Sequence, residues 1–133
     1  MSLIPDRAAF QSRLGSLPIT TYQAGENVLT SGSRTGRLLI LKKGAVSVIK
    51  EEIEIANVAE PGAVFGELSV LLDQPHTADV RTLERSEFYV ADAATVQDPI
   101  ILLYVSAILA QRLNRANQAL TELKSQLHAR PAT

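Results

Sequence analysis

Phe65-Gly66-Glu67-Leu68-Ser69-Val70-Leu71-Leu72-Asp73-Gln74-Pro75-His76-Thr77-Ala78 joins a Gly-Glu pair, a short apolar run and a polar turn within one supersecondary unit. Gly66 has no Cβ, so the backbone there can approach a ligand closely. An ionised Glu67 offers only acceptors, which suits the vicinal hydroxyls of a sugar. The run Leu68 to Leu72 predicts a short helix whose first N–H groups lack intrahelical acceptors and can face an anion. The layout is that of a phosphate-and-sugar cradle. Leu68, Val70, Leu71 and Leu72 are expected to pack the helix onto a core, which leaves the chemistry to Glu67 and the backbone amides.

Outward from this segment the chain is a series of short apolar runs. Asn27 to Thr30, Leu38 to Leu41, Ala45 to Ile49, Ile53 to Val58, Ala78 to Thr82 and Glu87 to Ala91 are rich in Val, Ile, Leu and Thr. Gly, Pro, Ser or Asp turns separate them, and Pro61-Gly62 stands just before the cradle. Many short strands with frequent turns indicate a sandwich or a barrel. Val46 to Lys50 alternates in part, as a strand with one wet face does. At the N-terminal side, Phe10 and Leu14 are spaced i, i+4 for a short helix that Gly15 and Pro18 end. At the other side, Asp98-Pro99 has the form of an N-cap followed by a first-turn proline. Ile100 to Leu109 is densely apolar. Leu109, Leu113, Ala116, Leu120, Leu123 and Leu127 then follow alternating steps of four and three, a heptad seam of about three repeats. Either the seam pairs with a second copy, or a single amphipathic helix lies on its own domain. The length beyond Ala116 favours pairing.

These residues resemble the cyclic-nucleotide-binding domain family, the module of catabolite activator proteins, protein kinase A regulatory subunits and cyclic-nucleotide-gated channels. The family's phosphate-binding cassette reads approximately F-G-E-L-[AS]-x-L-x-x-x-P-R-[TSA]-A, and FGELSVLLDQPHTA aligns with it without a gap. Upstream, Tyr22 to Glu26 and Ser31-Gly32-Ser33, followed by Arg37 to Val48, are similar to the family's opening strands and turns. The resemblance covers most of residues 18 to 115. It implies a mostly β fold with flanking helices: a β jelly-roll barrel with a short N-terminal helix, a cassette helix and a long C-terminal helix. The implied organisation is one domain spanning 1–133. Its parts are an N-terminal helix at 5–17, a β-roll at 18–97 with the cassette at 64–78, and the C-terminal helix at 98–128.

For function the resemblance implies a non-catalytic sensor of cAMP, or of cGMP, that signals through its C-terminal helix and carries no cofactor. The implied ligand-binding residues are Phe65, Gly66, Glu67, Leu68, Ser69, His76, Thr77 and Ala78. Glu67 would take the ribose 2′-hydroxyl, and the amides of Leu68 and Ser69 the cyclic phosphate. Thr77 would donate to the phosphate or to a base edge, which keeps cGMP open. Val64 and Phe65 would line the sugar side unless they are purely core residues. Arg112, Asn114 and Asn117 are candidates to cap the base from the long helix. Activators of this family dimerise through that helix, so a homodimer is expected. A helix-turn-helix domain follows it in those activators, and Arg130 to Thr133 do not build one. Either this is a stand-alone sensor or the chain is a piece of a longer protein; a stand-alone sensor, with no DNA-binding domain in the chain, is the expectation.

One departure stands out. Where the family usually places an arginine against the phosphate, this chain has His76. Arginine is permanently charged and presents a fork of donors. Histidine has an ordinary pKa of about 6.5 and is mostly neutral at pH 7, though it still donates one hydrogen bond. The pocket is therefore either pH-sensitive or disused. A nucleotide-free interaction module of the same fold is the alternative function.

Composition sets the remaining bounds. The 133 residues carry a net charge of −1 and no cysteine. Neither bulk attraction to nucleic acid nor to anionic lipid is indicated. Disulfides and thiolate metal sites are excluded, which fits a reducing cytoplasm. The N-terminus lacks the form of a signal peptide, and no apolar run reaches membrane-spanning length. A cytoplasmic protein without membrane or metal partners is expected. The two histidines, His76 and His128, lie far apart, and G-x-S-x-G, H-E-x-x-H and P-loop motifs are lacking. Asp73 and Asp79 flank the cassette, where turns often carry Asp for local hydrogen bonds, and Asp79 also lies in a strand-like run, where an outward, solvent-facing role is expected. An enzyme is not indicated.

Overall fold

A computed structural model of the chain describes residues 7–129. Its elements are α1 (Arg7–Leu14), β1 (Ile19–Tyr22), β2 (Asn27–Leu29), β3 (Arg37–Lys43), β4 (Val46–Lys50), β5 (Ile53–Val58), β6 (Val64–Phe65), α2 (Glu67–Leu72), β7 (Asp79–Thr82), β8 (Ser86–Asp92), α3 (Ala93–Val96) and α4 (Pro99–Ala129). Residues 5 and 6 of the expected N-terminal helix lie outside the described residues.

The strands form two four-stranded antiparallel sheets, ordered β1-β8-β3-β6 and β2-β7-β4-β5. They make a mostly β roll flanked by helices, and the two sheets face each other without closing into a barrel. Strand β3 shows why its apolar run is unbroken. Leu38 and Ile40 join Phe10, Leu14, Val64, Ile101 and Val105 in a core under the helices. Leu39 and Leu41 join Val28, Leu29, Val46, Phe65, Val80 and Phe88 between the sheets. With a period of two, a strand buried on both faces cannot alternate polar and apolar residues. Strand β4 differs from the expected half-wet strand at its start, where Val46 and Ser47 are both buried.

The helices clamp one face of the first sheet. Phe10 stacks on Tyr104 with ring centroids 3.5 Å apart. Arg13 Nε lies 3.1 Å from the Asp98 carboxylate. Asp98 Oδ1 accepts from the Ile100 N–H at 2.9 Å, which satisfies one of the free donors at the start of α4. The apolar packing of α4 on the roll is confined to its first three turns, through Ile101, Val105, Tyr104, Ile108 and Leu109. From Ala110 to His128 every residue is exposed. Leu113, Leu120, Leu123 and Leu127 are each more than half exposed, so the seam does not lie on its own roll.

Candidate functional site

Helix α2 begins where Gly66 takes a left-handed conformation, φ +84°. A Cβ there would sit 2.6 Å from the Arg37 carbonyl oxygen of β3, so the close approach foreseen at this glycine is to the protein's own backbone. Asp73 ends the helix, also left-handed, and Gln74 N–H donates to Leu68 O at 3.2 Å. Leu71 and Leu72 are exposed rather than packed. In six residues the helix turns fewer than twice, and only one side of it meets the roll.

A cavity of about 390 Å³ opens between this segment and the inner face of the second sheet. Phe65, Gly66, Glu67, Leu68, His76, Thr77 and Ala78 line one side, and Leu29, Val48, Ile55, Ala56, Val58 and Val80 line the other. Seven of the eight residues expected to form the site thus share one wall. The eighth, Ser69, is buried and turned the other way. Its Oγ accepts from the N–H groups of Thr35 and Gly36 at 3.1 and 2.9 Å. Val64 and Phe65 both line the cavity and belong to the two cores.

The loop between β2 and β3 is bound at several points to the cassette and to the start of β7. Ser31 N–H donates to Asp79 Oδ1 at 2.7 Å, so Asp79 has a structural partner. Gly32 N–H donates to His76 O at 2.8 Å, and His76 N–H to Ser33 O at 2.9 Å. His76 is 5% exposed, and its Nε2 lies 3.2 Å from Thr35 Oγ1. Burial pushes the imidazole pKa below its ordinary value, opposed by the Glu67 carboxylate. The neutral ring prevails at pH 7.

The long helix reaches the site through one residue. Arg112 Nη1 donates to Glu67 Oε1 at 2.7 Å, and Nη2 donates to the Val64 carbonyl. Arg112 lines the cavity, whereas Asn114 and Asn117 do not. The Glu67–Arg112 ion pair spans 45 residues and has no local signature in the sequence. Glu67 uses one oxygen for Arg112, and its second oxygen retains acceptor capacity. The wall therefore combines a carboxylate, a neutral histidine, a hydroxyl and a helix start, opposite an apolar surface. That is a set suited to an anionic, hydroxylated ligand with an apolar base. Among the described residues, no group of three or more His, Cys, Asp or Glu side chains forms a metal site, and no helix is long and apolar enough to cross a membrane.

Residues 19–100 match the sequence profile described as the cyclic nucleotide-binding domain. Glutaminase 1 of Bradyrhizobium diazoefficiens is 38% identical over 71 residues, which are 52% of this chain and 11% of that protein. The matched segment is thus a small part of the curated relative's length. Among solved structures, the catabolite activator protein of Thermus thermophilus superposes with a TM-score of 0.74 at 22% identity, covering 90% of this chain and 60% of that one. The regulatory subunit of a cAMP-independent protein kinase A from Trypanosoma cruzi, bound to guanosine, superposes with a TM-score of 0.59 at 25% identity. That match covers 65% of this chain and 31% of the other.

Proposed function

The chain belongs to the cyclic nucleotide-binding domain family, and we propose that it serves there as a non-catalytic cytoplasmic sensor of a cyclic nucleotide, cAMP or cGMP. The observation that carries this reading is the shared wall of Glu67, His76 and Thr77 in a cavity of about 390 Å³, a size typical of small-molecule sites. Glu67 takes the ribose 2′-hydroxyl on its second oxygen. The cyclic phosphate lies against the Leu68 and Ser69 amides and the His76 ring, and the base packs on the apolar wall. The guanosine-bound relative supports a pocket of this kind tolerating a guanine base. Residues 1–133 are read as one sensing unit that pairs with a second copy through the exposed seam of α4. Ligand that engages Glu67 also acts on the Arg112 tie, so binding biases the position of α4, provided the two positions differ in ligand affinity.

A second reading, a nucleotide-free interaction module, draws on two observations. Glu67 is already paired with Arg112, and the seam is exposed. Calorimetric titration with cAMP and cGMP at about pH 5.5 and about pH 7.5 separates the two readings. Saturable binding that tightens at the lower pH supports the sensor. No heat and no change in melting temperature with either nucleotide overturns it and leaves the module.

A further inference from the structure

The ligand reading above leaves the side chain of Thr35 without a role. It stands in the loop between β2 and β3, with Oγ1 3.2 Å from His76 Nε2 and 3.3 Å from the Arg37 nitrogen, whose N–H it accepts. A hydroxyl has one proton and two lone pairs, and a neutral imidazole has one donor and one acceptor nitrogen. With one lone pair taken by Arg37, two arrangements remain. Either Nε2–H donates to the second lone pair and the hydroxyl proton has no protein acceptor, or the hydroxyl donates to a bare Nε2. Only the second uses the proton of Thr35 within the protein. It also puts the ring proton on Nδ1. That nitrogen has no protein partner among the described residues, yet no buried side-chain nitrogen or oxygen among them is left unsatisfied. Nδ1 is therefore not sealed, and the cavity is the space that His76 lines.

We propose that Thr35 is a positioning residue: its hydroxyl donates to His76 Nε2 and holds the neutral ring as the Nδ1–H tautomer, with the remaining N–H aimed into the cavity. An uncharged histidine then still offers a donor to an anionic group at neutral pH. The loop is suited to this task because Ser69 and the His76 backbone fix it at Gly32, Ser33, Thr35 and Gly36. The purpose of the device rests on the sensor reading, but its geometry does not.

The test uses the unliganded full chain with 15N-labelled histidine and long-range 1H–15N correlation above the histidine titration range. His128 is the one other histidine to assign. The expected pattern is a protonated Nδ1 and a bare Nε2 at His76, retained in Thr35→Ser and lost in Thr35→Val. A wild-type Nε2–H pattern, or a pattern unchanged in Thr35→Val, overturns the proposal. Titration with cAMP supplies the second arm. Thr35→Val weakens binding about tenfold at neutral pH, as loss of one hydrogen bond to a charged group does, and Thr35→Ser restores it. The expected tautomer in a protein that binds no nucleotide upholds the positioning role and removes the sensor reading instead.

Discussion

Gly66→Ala probes the entrance to the cassette, and the chain supplies its own control. Gly66 and Gly25 have nearly the same backbone conformation, φ +84° and φ +83°. An alanine at either position adopts the left-handed region at a cost of about 1–2 kcal/mol. Around Gly25 an added Cβ meets nothing within 4 Å, so that cost is the whole effect. At Gly66 the Cβ falls 2.6 Å from Arg37 O, with His76 Cε1 and Leu29 Cδ1 each 3.6 Å away. Arg37 opens β3 and is paired with Asp92 at the end of β8, the two central strands of the first sheet, so its carbonyl cannot retreat without disturbing that end of the ladder. Overpacking of this kind adds about 1–3 kcal/mol. The expected losses are about 2–5 kcal/mol for Gly66→Ala and about 1–2 kcal/mol for Gly25→Ala. For a chain of this length about 1 kcal/mol shifts the melting temperature by about 4 °C, so the falls are about 8–20 °C and about 4–8 °C. Thermal and urea unfolding followed by circular dichroism, without ligand, measure both. Equal losses in the two variants would refute the close approach of Gly66 to β3.

Other perturbations address the site and the helix. Arg112→Ala cuts the tie between α4 and the cassette; because the pair is partly exposed, the stability loss is about 0.5–1.5 kcal/mol, with faster amide exchange confined to α2 and its flanks. Unchanged exchange in α2 would show that the tie holds nothing. Leu120→Glu replaces a side chain that is 64% exposed, so it changes the stability of one copy by less than about 0.5 kcal/mol. Sedimentation should nevertheless show a dimeric wild type and a monomeric variant, and a monomeric wild type would dispose of the proposed pairing. Burial lowers the folded-state pKa of His76 below its unfolded value of about 6.5, so its neutral form is the one the fold favours. Stability from this group is complete above about pH 6.5 and is lost as pH falls from there toward the lowered folded value. His76→Gln should reduce the fall in urea midpoint over that window; a parallel fall in both proteins would mean the ring is not held neutral by burial. His76→Arg, which supplies a permanent charge, should tighten cAMP binding at neutral pH if the pocket is in use and leave a disused pocket silent.

The features legible in the sequence are those encoded over a few consecutive residues. The cassette is contiguous, so its glycine, carboxylate and turn residues announce the wall on which seven of them meet. The Asp98-Pro99 helix start and the strands from β2 to β5, β7 and β8 follow from local capping and short apolar runs. Strand β1, Ile19-Thr20-Thr21-Tyr22, carries no run of aliphatic residues, and β6 and α3, of two and four residues, are too short to impose a period. They exist because neighbours already in place offer them partners: β8 and β3 for the strands, and the Asp92 carboxylate, which accepts from Thr95 N–H, for the helix.

Tertiary structure alone decided the direction of Ser69, the partner of Glu67 and the setting of His76. Ser69 turns from the cavity because two amides 33 and 34 residues away need its oxygen. Glu67 meets Arg112 because α4 crosses the roll at its fourth turn. His76 meets Thr35 because the loop between β2 and β3 folds over the cassette. A local motif states which chemical groups a chain places in sequence. Which of them face the ligand, and in which protonation state, depends on donors and acceptors brought close only when distant segments pack.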